Sequence, residues 1–262
     1  MESLSKGICR LSVVPVRKEP THKSEMVTQL LFGDHYSVLS TTPDSQWIHI
    51  KIYFDGYEGW IDHKQHKSIS EDYFHDINNN EYKISTELTS SILYKKKTIQ
   101  IVMGSVLPIA NTELFDIEEQ FAFNGESKNL WQKGDFDFIR SIAFKYLNVP
   151  YMWGGKTPFG IDCSGFVQMV YKIGGFKLNR DTSEQVRQGL IISDFKKAMP
   201  GDLAFFSDEK GKVGHVGIVL EEDRIIHAHG KVKVDMLNES GIIDSKNKIE
   251  THKLEFIKRI LR

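Results

Sequence analysis

This sequence has no excess of charge of either sign. Its 262 residues include 34 Lys and Arg against 35 Asp and Glu, a formal net charge of −1 at pH 7 with histidine neutral. Because proteins that bind nucleic acids usually carry a basic excess or a basic stripe, this balance argues against a nucleic acid as partner. The densest basic run is Lys95-Lys96-Lys97, and three lysines at a predicted turn are more typical of a solvated surface.

Cysteine is scarce as well, with only Cys9 and Cys163 in the chain. Two thiols this far apart do not form the framework of a disulfide-rich protein, and there is no CxxC pair of the kind found in zinc and redox sites. The sequence therefore points to neither a disulfide scaffold nor a redox dithiol.

Long apolar runs are missing too. The first six residues show no apolar run behind a basic start, so no signal peptide is visible. The most apolar stretch, residues 99–110, contains Gly104 and Pro108 and is too short to span a bilayer. We therefore expect a cytoplasmic protein without a membrane partner. Removal of a leader would leave the same appearance, so an exported protein is the alternative.

The first half of the chain contains short β-strand patterns at close spacing. They predict strands over residues 8–15, 26–31, 36–39, 47–52 and 57–61. Strands of this length and spacing are typical of a small barrel or sandwich. In the first strand, alternation places Cys9, Leu11 and Val13 on one face. The polar stretch 70–83 is predicted to be a connection.

A second β-rich block follows over residues 91–123. Its segments 99–103 and 106–109 flank Gly104-Ser105, which favours a hairpin at that point. No motif in this block is diagnostic by itself.

The pattern changes to helical spacing at about residue 135. Apolar residues recur every three or four positions over 136–146, and a second helix is predicted from near Asp162 to Gly174-Gly175. Strands are predicted over 201–206, 213–220 and 224–229. Helices followed by antiparallel strands predict an α+β domain. The chain is thus predicted to hold two small all-β domains, 1–68 and 69–130, and an α+β domain over 131–262.

Cys163 is the most informative residue. It follows a glycine-rich approach over 154–162 and opens the second predicted helix. A thiol at a helix N-terminus has a lowered pKa, and the backbone N–H groups there can stabilise an oxyanion. A lone cysteine is more often a small buried hydrophobe, and Cys9 on its apolar strand face suits that interpretation better than Cys163.

Two histidines provide an independent clue. His215 and His227 lie on predicted strands that turn at 221–223, and a hairpin symmetric about residue 221 makes them cross-strand neighbours with Cβ atoms roughly 5 Å apart. One histidine near a thiol can act as general base while a second group orients it. A zinc site formed by Cys163, His215, His227 and His229 is the alternative, although the tight ligand spacings of common zinc motifs are missing.

Six motifs follow one another in the second half of the chain: Tyr151-Met152-Trp153-Gly154-Gly155, Asp162-Cys163-Ser164-Gly165-Phe166-Val167, Arg180-Asp181-Thr182-Ser183-Glu184-Gln185, Pro200-Gly201-Asp202-Leu203, Gly214-His215-Val216-Gly217-Ile218 and Ile226-His227-Ala228-His229-Gly230. In this order they resemble the NlpC-type peptidases, which cut bacterial cell-wall peptides. The resemblance covers the chain from about residue 135 onward and implies a reduced papain-like α+β fold with a Cys-His-His triad.

The resemblance also implies roles for individual residues. It makes Cys163 the nucleophile, His215 the base and His227 the orienting residue, with Tyr151 near the oxyanion site. Positions lining the substrate pocket in that family correspond here to Asp162, Ser164 and Thr182.

The first half resembles a bacterial SH3-like barrel, and the second block a degenerate copy of it. The motifs are Pro15-Val16-Arg17, residues 27–33, Trp47-Ile48-His49-Ile50 and residues 56–61. Two such domains before an NlpC-type domain resemble the γ-D-glutamyl-L-diamino acid endopeptidases of murein peptide recycling. That likeness implies that Glu25 and Tyr57 hold the free amino terminus of the substrate. Without it, Glu25 is a solvated loop charge and Tyr57 a ring of the barrel core.

The expected function is therefore hydrolysis of a small murein peptide between γ-D-glutamate and the diamino acid, without a cofactor. One alternative is an exported hydrolase of intact peptidoglycan that uses its SH3-like domains to bind the wall. The other is a non-catalytic peptide-binding protein. No residue identified here selects lysine or diaminopimelate as the diamino acid, and the oligomeric state is not predicted.

Overall fold

The computed structural model describes residues 5–79, 82–107, 121–208 and 210–261. The chain divides into two compact units, Met1–Gln132 and Lys133–Arg262. The border predicted at 130/131 lies two residues before this division. The further division of the first unit at 68/69 stays a prediction.

The first unit consists mainly of antiparallel strands. Its elements are β1 Ser5–Ile8, β2 Val13–Arg17, β3 Met26–Leu31, β4 His35–Thr41, β5 Trp47–Ile52, β6 Glu58–Asp62, β7 Ser68–Ile69, α1 Glu71–Asn79, β8 Lys83–Ser85, β9 Thr89–Tyr94, β10 Lys97–Val102, β11 Val106–Leu107, β12 Phe121–Asn124 and β13 Ser127–Asn129. The sheets have the orders β3-β2-β6-β5-β4-β1-β7, β10-β9-β12 and β11-β8-β13.

The seven-stranded sheet buries one apolar cluster of the first unit, and a second cluster lies around Phe32, Ile92, Ile101 and Leu107. Alternate side chains of β2, β4 and β5 are buried in one apolar cluster, as expected for strands with one face inward. Cys9 is fully buried in this cluster, and its burial raises the pKa of the thiol to about 12. It is the small buried hydrophobe that the sequence predicts.

The strand predicted over 8–15 is wrong as a single element. The chain forms β1 and β2 on either side of residues 9–12, and Leu11 is 42% exposed instead of sharing the buried face of Cys9. The reason is pairing: β1 lies against β4, whereas β2 lies against β3, so the chain must cross between partners. An alternating pattern does not show such a crossing.

The predicted connection 70–83 also needs correction, because it contains α1. Phe74 and Ile77, three positions apart, are buried, while Glu71 and Asp72 occupy the first turn, where the helix dipole favours acidic side chains. With only two inward-facing apolar residues in nine, the helical spacing is too sparse to reveal a helix from the sequence.

The hairpin predicted at Gly104-Ser105 is wrong. β10 pairs with β9 around a turn in which Lys95 and Lys96 have positive φ, and β11 pairs with β8 in the other sheet. The chain at Gly104-Ser105 therefore passes from one sheet to the other. Pro108 and Ile109, part of the predicted hairpin, lie outside the described residues.

The second unit begins with helices and ends with strands. Its elements are α2 Phe136–Lys145, β14 Lys156–Thr157, β15 Gly160–Ile161, α3 Cys163–Ile173, α4 Thr182–Gln185, β16 Leu190–Ile192, β17 Leu203–Ser207, β18 Val213–Leu220, β19 Arg224–His229, β20 Lys231–Leu237, β21 Gly241–Ile243 and β22 Glu250–Arg259. The two longer helices and the strands over 213–220 and 224–229 confirm the sequence predictions. The helices among the described residues include none with the length and apolarity needed to cross a membrane.

The antiparallel sheet of this unit closes on itself. Its order is β16-β22-β17-β18-β19-β20-β21, and β22 pairs additionally with β21, so strands β17 to β22 form a ring. α3 is buried along its whole length, from Cys163 to Ile173. Cys163, the first residue of this buried helix, lies beside strand β18 of the sheet.

Candidate active site

Cys163 lies at the N-terminus of α3, where the sequence places it. Asp162 is the N-cap and its Oδ1 accepts a hydrogen bond of 2.6 Å from the backbone N–H of Gly165. The Cys163 Sγ lies 3.8 Å from the carbonyl oxygen of Gly214. The thiol is therefore beside the beginning of β18, at the residue that precedes His215 in the chain.

The thiol does not have the lowered pKa that its helix position predicts. Burial, the larger cause, and the negative charge of Asp162, the smaller one, raise the pKa of Cys163 to about 11. Hydrogen bonds from the backbone of Val216, the Thr182 hydroxyl and the backbone of Ser164 lower the pKa, but by less. The thiol is only 6% exposed. Loss of hydration thus outweighs the helix N-terminus, and the resting side chain is a protonated thiol.

His215 and His227 are in direct contact. The Nε2 atom of His215 lies 2.8 Å from Nδ1 of His227, and both rings are buried. Burial and then the charge of His227 lower the pKa of His215 well below its usual value. Burial also lowers the pKa of His227, although Asp235 opposes that effect. Both rings are neutral at pH 7.

The register predicted for these histidines is wrong by two residues. His227 lies opposite Gly217, and the hairpin is centred on Glu222, so His215 and His227 are diagonal neighbours. The turn uses positive φ at Glu222 and Asp223. Because side chains alternate with a period of two, a shift of two leaves both histidines on the same face. This is why their rings still meet.

Two further histidines surround the pair. His252 of β22 stacks on His215 with ring centroids 4.2 Å apart, and burial lowers its pKa to about 4. The exposed His229 lies with its ring centroid 6.3 Å from those of His215 and His227. His252 could not be identified from the sequence, because it reaches His215 only when β22 pairs with β21 and closes the sheet into a ring.

The zinc alternative finds no support in this geometry. Within the described parts of the chain, no group of three or more His, Cys, Asp or Glu side chains could hold a metal ion. Both ring nitrogens of His227 lie within hydrogen-bond distance of protein groups, at 2.8 Å and 3.1 Å.

Tyr151 lies within electrostatic range of the thiol. Burial, then the charges of Cys163 and Asp162, raise the pKa of the phenol to about 12. Its backbone N–H donates to the carbonyl of Gly230 at 2.9 Å. The phenol is therefore protonated at neutral pH and is able to donate a hydrogen bond.

Asp162 and Ser164, predicted pocket residues, are held in a buried network. Asp162 Oδ2 accepts from the backbone N–H of Gly154 at 2.8 Å and from Arg180 at 2.5 Å, and the Ser164 hydroxyl accepts from Arg180 at 2.8 Å. Arg180 is 1% exposed. Thr182 is also buried and bonds the thiol through its hydroxyl.

Glu25 and Tyr57 belong to the first unit. Glu25 is exposed and pairs with Lys18 at 3.6 Å, while Tyr57 is half-buried against the apolar cluster of the seven-stranded sheet. Both placements agree with the structural alternatives that the sequence left open.

Two residues of the site were not singled out from the sequence. Asp235 accepts a hydrogen bond from His227 Nε2 at 3.1 Å, and Arg180, which the sequence shows only within a motif, donates to Asp162. A charged residue at a buried strand position is a signal for Asp235, but only β19–β20 pairing places it beside the histidines.

Comparisons with known proteins identify the family of each part of the chain. The profile of the NlpC/P60 family matches residues 148–250, and that of the bacterial dipeptidyl-peptidase SH3 domain matches residues 16–65. A γ-D-glutamyl-L-lysine dipeptidyl-peptidase of Bacillus subtilis is 30% identical over 223 residues, which cover 77% of this chain and 71% of that protein. A protein of the same name from Bacillus cereus is 29% identical, with coverages of 86% and 74%.

A solved structure shows the same fold. The crystal structure of an NlpC/P60 family protein from Bacillus cereus superimposes with a TM-score of 0.81 at 21% identity, covering 98% of this chain and 100% of the other. The relatives above agree with the family indicated by the six motifs. The chain belongs to the NlpC/P60 family of cysteine peptidases and carries a bacterial dipeptidyl-peptidase SH3 domain in its first unit.

Proposed function

We propose that this protein hydrolyses the bond between γ-D-glutamate and an L-diamino acid in small murein-derived peptides that have a free N-terminal L-alanine. The observation that carries the proposal is the buried set of Cys163 beside β18 and His215 in contact with His227. Relatives named γ-D-glutamyl-L-lysine dipeptidyl-peptidases support the choice of bond.

The thiol and the imidazole supply the chemistry. His215 takes the proton of Cys163 as the sulfur attacks the amide carbonyl carbon, and collapse of the tetrahedral intermediate breaks the C–N bond. His215 returns the proton to the leaving amine, which leaves a thioester on Cys163. Water, deprotonated by His215, then hydrolyses the thioester and restores the thiol.

The developing oxyanion needs hydrogen-bond donors. The backbone N–H at the start of α3 and the phenol of Tyr151 fill that role in our proposal. Because the pKa of Tyr151 is raised to about 12, its hydroxyl keeps the proton that it must donate.

The free amino terminus is the basis of specificity in this proposal. A dipeptidyl-peptidase releases two residues from an unblocked N-terminus, so the site must favour an ammonium group and disfavour an acylated one. The carboxylate of Glu25 and the hydroxyl of Tyr57 are suited to bind an ammonium. A small free peptide is therefore the substrate we propose, rather than the intact wall.

Mass spectrometry of products from defined peptides tests the proposal. We expect cleavage of L-Ala-γ-D-Glu-L-Lys and of its diaminopimelate counterpart, with the N-acetylated peptides resistant. Glu25→Gln and Tyr57→Phe are expected to raise KM for the free peptides. Glu71→Gln, which alters another exposed acid of the first unit that lies near a lysine, is the matched control and should leave KM unchanged.

Two outcomes would contradict the proposal. Equal rates on free and acetylated peptides would remove the role of a free amine and favour a hydrolase of intact peptidoglycan. Amide cleavage by Cys163→Ala at the rate of the unmodified protein would remove Cys163 as nucleophile.

A further inference from the structure

Asp235 of β20 extends the pair of histidines. Its Oδ2 atom accepts a hydrogen bond of 3.1 Å from Nε2 of His227, and the carboxylate is 2% exposed. The side chains of His215, His227 and Asp235 therefore form a continuous buried series from an imidazole to a carboxylate, and the Cys163 thiol lies against the carbonyl oxygen of Gly214, the residue before His215. The proposed mechanism gives steps to Cys163 and His215 and assigns nothing to Asp235.

Three donors surround the carboxylate. Besides His227, the Lys233 ammonium lies 2.8 Å from Oδ2, and the backbone N–H of Ser245 donates to Oδ1 at 2.9 Å. Lys233 is held in turn by Asp244 at 2.8 Å. Burial raises the pKa of Asp235, but the hydrogen bonds from His227, Lys233 and Ser245 lower it by more. The net pKa therefore lies below the usual range of a carboxyl group. The carboxylate is ionised at neutral pH.

Counting protons along the series fixes the tautomers. An ionised carboxylate only accepts hydrogen bonds, so His227 must carry its proton on Nε2. Neutral His227 then has a bare Nδ1, which accepts from Nε2–H of His215 at 2.8 Å. With its proton on Nε2, neutral His215 keeps a lone pair on Nδ1. That nitrogen is the one left to take the proton of Cys163.

We propose that Asp235 is a positioning residue for the reaction: it sets the tautomer of His227 and, through it, presents the unprotonated Nδ1 of His215 to the Cys163 thiol. The inference rests on the proposed function for its consequence in catalysis. Asp235 does not touch the reacting atoms and acts through two rings.

Tautomer control outweighs charge stabilisation here. The ammonium of Lys233 lies as close to Asp235 as any partner and largely cancels its charge at the distance of His215. The other groups facing His215 are His227 and His229 from β19 and His252 from β22, none of which supplies a negative charge. Asp235 therefore acts on His215 through the direction of the hydrogen bonds from His215 to His227 and from His227 to Asp235.

An asparagine at this position reverses that direction. The backbone N–H of Ser245 is fixed, whereas Lys233 is a flexible, partly exposed side chain that can turn away from position 235 and keep its ion pair with Asp244. The amide oxygen of Asn is therefore expected to face Ser245, which turns the NH₂ group toward His227. Nε2 of His227 then accepts a hydrogen bond from the Asn NH₂ group, so the ring proton of His227 moves to Nδ1. That Nδ1–H donates to Nε2 of His215, which becomes an acceptor. His215 must now hold its proton on Nδ1, where it blocks removal of the thiol proton.

Asp235→Asn therefore tests the inference. We expect kcat on the peptide to fall by on the order of 10²–10⁴-fold, the range of a general-base contribution, with a much smaller change in KM. Asp235→Glu, which keeps the carboxylate, is expected to recover part of kcat. Asp202→Asn is the matched control, because Asp202 is equally buried, directly precedes β17 of the same sheet and is paired with Arg259.

Two measurements need no substrate and separate this inference from the proposed function. Nitrogen-15 NMR of the histidine rings should show the Nε2–H form of His227 in the unmodified protein and in Asp202→Asn, and the Nδ1–H form in Asp235→Asn. The rate of alkylation of Cys163 by iodoacetamide at pH 7 should fall by about tenfold or more in Asp235→Asn, since one unit of thiol pKa changes the thiolate fraction tenfold.

The inference is overturned if Asp235→Asn keeps the Nε2–H form of His227. It is also overturned if Asp235→Asn and Asp202→Asn lose kcat in proportion to their loss of melting temperature, since that would show a merely structural role. Altered tautomers and alkylation without peptide cleavage in the unmodified protein would instead contradict the proposed substrate and leave the positioning role standing.

Discussion

Gly217 lies directly opposite His227 across the β18–β19 pair. A Cβ atom at position 217 would be 2.9 Å from the Cβ of His227 and 2.7 Å from the Cδ1 of Ile225. Contacts this short do not occur between real side chains, so the missing side chain at 217 is what lets His227 take its position. The glycine therefore makes room for the histidine on the neighbouring strand.

Gly217→Ala is therefore expected to displace His227. Overpacking of this kind costs about 1–3 kcal/mol, and we expect kcat to fall more than the loss of stability alone explains. Gly214→Ala in the same strand is the control, because a methyl there meets only the carbonyl oxygen of Lys212 at 3.9 Å. Urea unfolding and peptide kinetics on both variants check this. Equal losses of kcat in Gly217→Ala and Gly214→Ala would show that the site tolerates a methyl group at position 217.

The rate of catalysis should stay high well into the acidic range. The base must be neutral to accept the thiol proton, and burial holds the pKa of His215 well below 6.5. The acidic limb of kcat/KM is thus expected below pH 6.5, while the pKa of about 11 for Cys163 places the alkaline limb far above neutrality. A pH profile with a limb at pH 6.5 or higher would contradict a buried, neutral His215.

The stability of the second unit should fall as the pH drops below about 6.5. The pKa values of His215, His227 and His252 are lowered in the folded state, so the unfolded chain binds more protons. Stability is complete above the unfolded pKa and declines by up to about 1.4 kcal/mol per pH unit for each histidine. Melting temperatures from pH 8 to 5 measure this, and His252→Phe should flatten the dependence. A flat profile in the unmodified protein would argue against buried neutral rings.

The buried Asp162–Arg180 pair is expected to be costly to break. Arg180→Met leaves an uncompensated carboxylate and should cost about 3–5 kcal/mol, whereas Asp162→Asn together with Arg180→Met should recover part of that loss. The exposed Glu222–Arg224 pair is the matched control, and Arg224→Met should change stability by less than about 1 kcal/mol. Urea denaturation of the four proteins decides; similar losses at both sites would mean that burial does not govern the pair.

Local patterns in the sequence were enough for much of the second unit. Helix periodicity predicts α2 and α3, and alternation predicts β18 and β19 with their limits. Cys163 at the head of α3 also follows from local signals, since a polar N-cap precedes a run of apolar positions. These features depend on residues a few positions apart, so they can be read without the rest of the fold.

The tertiary structure decided what depends on partners distant in the chain. Pairing divides the strand predicted over 8–15 and separates β10 from β11, because a strand's neighbour is not written in its own alternation. The turn at Glu222 and Asp223 sets the register of His227, and the closed ring brings His252 to His215.

The pKa of Cys163 shows most clearly what the sequence determines and what only the tertiary structure decides. The sequence determines that a thiol stands at a helix N-terminus, where its pKa should be lowered. Only the folded structure buries that thiol beside β18 and next to Asp162, which raises its pKa to about 11. Hydration is lost through contacts made by the whole unit, so its effect cannot be derived from a motif of a few residues.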